Sequence, residues 1–154
     1  MTTSRPADPA ASATLTIAPA TTDQRDAIVA LWLSCGLMMP YNDGGADFDF
    51  AAAKPGSDVL AGTLDDTVVA SVMVGHDGHR GWLYYVAVDD AWRGRGFGRQ
   101  MIEAGEAWLE ERCVVKAMLL VRPTNTAVIS CYEHLGYETA PRTVLQKWLR
   151  PPEE

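Results

Sequence analysis

Val86-Ala87-Val88-Asp89-Asp90-Ala91-Trp92-Arg93-Gly94-Arg95-Gly96-Phe97-Gly98-Arg99 is the stretch that decides the fold. Its first residues read as a strand, its glycines as a turn, and a helix opens at its end. Phe97, Met101, Ile102, Gly105, Trp108 and Leu109 then form one apolar stripe opposite Arg99, Glu103, Glu106 and Glu110, the pattern of an amphipathic helix. Such a turn points backbone amides outward. Glycine lets the main chain approach an anion closely, and a helix start adds unpaired N–H groups with a partial charge of roughly +0.5. Arg93, Arg95 and Arg99 concentrate positive potential at the same place, so the residues point to a cradle for phosphate or pyrophosphate. The bland alternative is a glycine-rich turn with solvated arginines.

Downstream, Ala117 to Val121 is a short apolar run expected of a buried strand. Pro123-Thr124-Asn125 opens another helix, with Val128, Ile129, Tyr132 and Leu135 on its inner face and Gly136 at its end. Tyr137 to Thr139 and Thr143 to Leu149, around Ala140-Pro141, read as a closing hairpin. Upstream, Leu15 and Ile17 alternate with threonines as in a strand, and Thr21 with Gln24 makes a capping box. Ala27, Ile28, Leu31, Trp32 and Cys35 recur at helical spacing, which predicts a helix to about Ser34. Residues 37–57 read as a loop-rich, surface-accessible insert that holds a short Asp47–Ala53 segment of weak helical character. Val59–Leu64 and Thr67–Gly75 form two strands about an Asp65-Asp66 turn, and Trp82–Val88 forms a third. Antiparallel strands followed by strand, helix, strand, helix imply a mixed α+β fold with a parallel crossover in its second half.

The chain has 154 residues, which is room for one domain. Residues 1–13, rich in Ala, Pro, Ser and Thr, cannot repay the entropy of ordering and are expected to be a flexible tail. A single domain over 14–150 and a short C-terminal tail over 151–154 complete the expected organisation. Thirteen Lys and Arg against twenty Asp and Glu leave a net charge of −7, which disfavours nucleic acid and favours cationic partners. Cys35, Cys113 and Cys131 form an odd set with neither metal spacing nor disulfide density, so a reducing, cytoplasmic setting is expected. No apolar run approaches a membrane span, and no signal peptide is legible. His76 and His79 lie near Asp77 without a Cys/His cluster, and no metal site is expected.

The phosphate ligand narrows by elimination. A Walker loop ends in Gly-Lys-Ser/Thr, whereas Gly98 is followed by Arg99-Gln100. A dinucleotide fingerprint wants glycine at position 99 and an acidic residue after the next strand, where Val121-Arg122 stand.

The remaining pattern resembles the acyl-CoA pyrophosphate loop of the GNAT acetyltransferase superfamily, Arg/Gln-x-x-Gly-x-Gly/Ala, met by Arg93, Gly96 and Gly98. The segment Asn125 to Tyr137 resembles the family too: an Asn opens a helix, a Tyr follows seven residues later, and a Leu-Gly-aromatic ending closes it. The likeness covers about Thr14 to Leu149. Pro40-Tyr41-Asn42-Asp43 and Asp77-Gly78-His79-Arg80-Gly81 look like the small bacterial YpeA-type branch. The resemblance implies a central mixed sheet of about six to seven strands, antiparallel first and then splayed at a parallel pair, with about four helices. It also implies acetyl-CoA as co-substrate and a primary amine as acceptor, whether a protein N-terminus, a lysine or a small molecule, with direct transfer in a ternary complex.

On that resemblance Val86, Ala87 and Val88 offer main-chain groups to the pantetheine arm. Gly94, Arg95, Gly96, Phe97, Gly98 and Arg99, with Arg93, hold the pyrophosphate. Asn125 meets the arm at the splay, and Tyr132 is the general acid for the departing thiolate. From the residues alone Asn125 is equally a helix-start residue and Tyr132 a core aromatic. Relatives that acetylate protein N-termini carry a Glu where this chain has Leu120. Asp43, Asp77 and His79 are substitutes by type only, and none is ranked as the base. A non-catalytic acyl-CoA sensor or interaction module is therefore the alternative. The acceptor is expected against Tyr41, Asn42, Asp43 and Tyr85, with His79 and Arg80 at the rim and Asp43, Asp47 and Asp49 attracting a cationic amine. An edge strand in the closing hairpin would give a homodimer a place to pair.

Overall fold

The computed structural model describes residues 14–153. The expected 1–13 tail lies outside the described residues. Five strands pair in the order β1 (Thr16–Pro19), β2 (Ser57–Leu64), β3 (Thr67–His76), β4 (Gly81–Val88) and β5 (Ala117–Met118). The first three pairings are antiparallel and the last is parallel. The β2–β3 turn closes on Asp65 and Asp66 at φ 47° and 64°, the left-handed pair that a two-residue hairpin needs and that short polar side chains tolerate.

Strand alternation sends side chains to two apolar layers. Leu60, Val72, Val74 and Leu83 meet Phe97, Met101, Ile102, Trp108 and Leu109 of α3 (Phe97–Glu111) on one face. Val59, Ala61 and Ala87 meet Ile28, Leu31 and Trp32 of α1 (Arg25–Ser34) and Phe48 and Ala51 of α2 (Gly44–Ala51) on the other. A 3-10 turn over Thr22–Gln24, closed by the capping box of Thr21 and Gln24, leads into α1. A Cβ on Gly105 would lie 2.7 Å from Leu83 Cδ2, so glycine is what lets α3 lie close over β4.

β4 is irregular at one point. Ser71 faces Ala87 and Met73 faces Tyr84, so Tyr85 and Val86 together oppose one residue of β3, and Tyr85 sits at φ 49°. This is a β-bulge, which turns Tyr85 towards α1 and α2. Its conformation is held from below. Fully buried Ser71 accepts a hydrogen bond from Trp32 Nε1 at 2.9 Å and donates to the Tyr85 carbonyl at 3.3 Å. Ser71→Ala leaves the buried indole N–H unpartnered and is expected to cost about 1–3 kcal/mol in urea unfolding. A change within 0.5 kcal/mol would show that the bulge does not depend on this contact.

The expected closing hairpin does not form, so the described sheet has five strands and not six or seven. Three features explain this. Pro141 lacks an N–H, β5 offers only two paired residues, and Val144-Leu145 and Trp148-Leu149 put apolar neighbours on opposite faces of any strand. Leu145 and Leu149 are accordingly 90% and 88% exposed. α4 (Thr126–His134) docks by its end alone: Tyr132, Leu135 and Tyr137 are half-buried against the α3-side layer, and Tyr137 Oη donates to Glu106 at 2.9 Å.

Candidate functional site

The parallel pair β4–β5 is joined only at Gly81 with Ala117 and Trp82 with Met118. Beyond Trp82 the strands part, and among the described residues no strand lies along the edge of β4 over Tyr84–Val88 that faces away from β3. Alternate residues of the Val86–Val88 run turn their main-chain groups away from β3, with Val88 O accepting from Cys35 Sγ at 3.3 Å, and that edge borders an open groove, which an extended amide-bearing chain can join as an added strand does.

The groove ends in the glycine turn. Asp89 caps a 3-10 turn over Asp90–Trp92 by accepting from Ala91 N at 2.9 Å. Gly94 and Gly96 then adopt φ 77° and 79°, and a Cβ built on either would meet nothing within 4 Å. Backbone conformation, not crowding, demands glycine here, and the space beside both stays open. The first helical bond of α3 runs from Gln100 N to Gly96 O at 3.1 Å. The amides of Phe97, Gly98 and Arg99 therefore lie ahead of the helical ladder, free to meet an anion. Arg93 pairs with Asp90 at 2.9 Å, Arg95 lies 5.1 Å over the Trp92 ring, and Arg99 pairs with Glu103 at 2.9 Å. Two of the three guanidinium groups are thus shared with neighbouring carboxylates.

Asn125 precedes α4 without a side-chain cap hydrogen bond, which leaves its amide uncommitted to the helix. Tyr132 stands two helical turns further on the same face, edge-on to Tyr137 at 5.6 Å. Burial, with a smaller contribution from neighbouring Cys131, pushes its phenol above the ordinary value. It is therefore a proton donor at neutral pH. Leu120, at the position of the missing carboxylate, is 54% exposed.

On the opposite side of β4 the loop between α1 and α2 folds over the bulge. Asn42 Nδ2 donates to Tyr85 Oη at 3.3 Å, and Tyr85 Oη donates to Asp47 Oδ2 at 2.7 Å. The structure thus brings Asn42 and Tyr85 together. Asp43 is turned into α2, where it accepts from Ala46 N at 3.0 Å as the helix cap. Tyr41 meets Trp148 of the C-terminal segment edge-on at 5.5 Å, and Arg122 reaches Met39. His79 and Arg80 lie elsewhere, in a turn at the start of β4 that Asp77 closes by accepting from both their amides at 2.9 and 2.7 Å. Four strand residues, about 13 Å, separate Gly81 from Tyr85.

Sequence reading missed Ser71 and Trp148. A lone Ser within the apolar run Val68–Val74 was the available sign of the first; nothing in the pattern marks the second. Among the described residues no three His, Cys, Asp or Glu side chains gather as a metal site would require. No described helix is long and apolar enough to cross a membrane.

Residues 25–137 match the model of the acetyltransferase (GNAT) family. An acetyltransferase of Yersinia pestis is 39% identical over 127 residues, covering 82% of this chain and 90% of that protein. One from Pectobacterium atrosepticum is also 39% identical over 127 residues, with the same coverage. Among solved structures, the aminoglycoside N-acetyltransferase AAC(6')-Iy in complex with CoA superposes with a TM-score of 0.76 at 16% identity, over 90% of this chain and 97% of that one. A ribosomal-protein-alanine N-acetyltransferase from Brucella melitensis gives 0.70 at 16%, over 88% and 99%. Those two proteins act on unlike acceptors with one fold, so the fold does not choose the acceptor. The open β4 edge, the glycine turn with its free helix amides and the family match agree, and the chain belongs to the GNAT acetyltransferase family.

Proposed function

We propose that the protein is an acetyl-CoA-dependent N-acetyltransferase that transfers acetyl directly to a primary amine within a ternary complex. The observation that carries the reading is the unpaired Tyr84–Val88 edge running into three free amides at Phe97–Arg99. One end of that groove suits an extended amide chain, the other a pyrophosphate.

The supplied chemistry is a thioester. Main-chain N–H groups of β4 near the bulge polarise its carbonyl, and Asn125 pairs with the arm at the splay. The neutral amine attacks the carbonyl carbon, the C–S bond breaks, Tyr132 gives its proton to sulfur, and the proton shed by the amide nitrogen passes through water to restore the phenol. A phenol above its usual pKa of ~10 stays protonated until charge develops on sulfur; transfer to a thiolate of pKa ~8.5 is uphill by about 2 kcal/mol, a small cost beside the barrier it lowers. Tyr41, Asn42 and Tyr85 form the acceptor mouth, and Asp43 supports it by capping α2. His79 and Arg80 border that mouth only for an acceptor long enough to follow β4 back to its start. The three free cysteines fit a reducing, cytoplasmic setting.

A second reading, a non-catalytic acyl-CoA sensor, is favoured by Leu120, which supplies no base. A screen of primary amines that reads free CoA thiol separates the two. Transfer to any amine well above hydrolysis supports the enzyme; acetyl-CoA binding without transfer to any of them supports the sensor.

A further inference from the structure

The acceptor mouth contains one carboxylate that is neither a helix cap nor an ion-pair partner. Of the three on the α1–α2 loop and α2, Asp43 is the α2 cap. Asp49 is gripped by Arg25 through two hydrogen bonds of 2.8 and 3.0 Å, which hold its carboxyl below the usual range. Asp47, in the first turn of α2, is half-buried beside Tyr85, and among the described residues it has no Lys or Arg partner. Tyr85 fixes its position: Oη donates to Asp47 Oδ2, while the ring stacks on Trp32 at 4.2 Å and 10°. Trp32 is fully buried and tied to Ser71, so the carboxylate is braced back to the sheet core.

Two roles are open to such a carboxylate, and geometry chooses between them. A general base must come within roughly 2.6–3.2 Å of the reacting amine, directly or through one water. The whole length of the Tyr85 side chain separates Asp47 from the β4 backbone, where the thioester lies in the proposed complex. An ion pair with the reacting nitrogen would also keep that nitrogen protonated and non-nucleophilic. A carboxylate one side chain away from the reacting centre suits a different group of the acceptor. The exposed rings of Tyr41 and Trp148 at the same mouth offer faces that attract a cation, and the chain's net charge of −7 draws one in.

Building on the acetyltransferase reading, we infer that Asp47 binds a second, non-reacting ammonium, so that the acceptor is a di- or polycationic amine. Asp47 determines specificity, and Tyr85 is its positioning residue.

Matched amines that differ by one charge test this: 1,4-diaminobutane against butylamine, and lysinamide against norleucinamide, each assayed by CoA release. The wild type is expected to favour the dications by at least about 10-fold in kcat/KM. Asp47→Asn should erase that preference by raising KM for the dications far more than for the monoamines, with acetyl-CoA affinity unchanged. Asp47→Glu should restore part of it, and Tyr85→Phe should weaken it without abolishing it. A preference that survives Asp47→Asn, or a loss shared equally by both members of a pair, overturns the assignment. If acetyl-CoA binds but no amine on the panel is turned over, the transferase reading itself fails, and the assignment falls with it.

Discussion

Tyr132→Phe is expected to lower kcat by roughly 10²-fold or more while acetyl-CoA binds as before, the loss typical when a positioned proton donor is removed. The phenyl ring keeps the packing against Tyr137 and the α3-side layer, so the thermal midpoint should move little. The pH dependence carries the same information. Burial raises the Tyr132 pKa, so the protonated, active form persists to higher pH than for a free phenol, and Tyr132 should cause no loss of kcat below about pH 10. A kcat unchanged in Tyr132→Phe would reduce this residue to packing. An alkaline limb near pH 8 that disappears in the variant would instead reverse the assigned pKa direction.

The second large effect concerns the glycine turn. Gly96 stands at φ 79° as the residue before α3, with open space where a Cβ would project. Any side chain there strains the backbone by about 1 kcal/mol, least for Asn and Asp, which visit the left-handed region most readily. Gly96→Asn and Gly96→Asp therefore share the strain and differ in charge. Two charges 4 Å apart interact by about 4 kcal/mol at an effective dielectric of 20, and exposure to solvent reduces this. Gly96→Asp should thus weaken acetyl-CoA binding roughly 10- to 100-fold, and Gly96→Asn only a few-fold, with equal small losses of stability in both. Equal affinities for the two variants would place the pyrophosphate elsewhere.

What was legible in the sequence follows from which physics is local. α3 could be read because its apolar stripe repeats at helical spacing, and the glycine turn because left-handed backbone selects glycine. The Asp65-Asp66 hairpin was readable for the same reason. The closing hairpin was not: apolar residues around Ala140-Pro141 look like strands, but pairing depends on an edge that β5, with two residues, does not supply. The bulge at Tyr85 is equally silent in the sequence. Its left-handed φ is imposed from Ser71 and Trp32, residues remote in the chain, and a tyrosine has no local preference for it. Asp43, Asp47 and Asp49 were indistinguishable as a polar loop and helix; only the fold shows that one caps, one pairs with Arg25 and one meets Tyr85.

The central claim is that the open β4 edge and the glycine turn together form a site for acetyl-CoA. Calorimetric titration of the full chain with acetyl-CoA tests it most directly. Saturable binding at one site per chain is expected, weakened by Gly96→Asp and left intact by Tyr132→Phe. Absence of detectable binding at millimolar acetyl-CoA would contradict it.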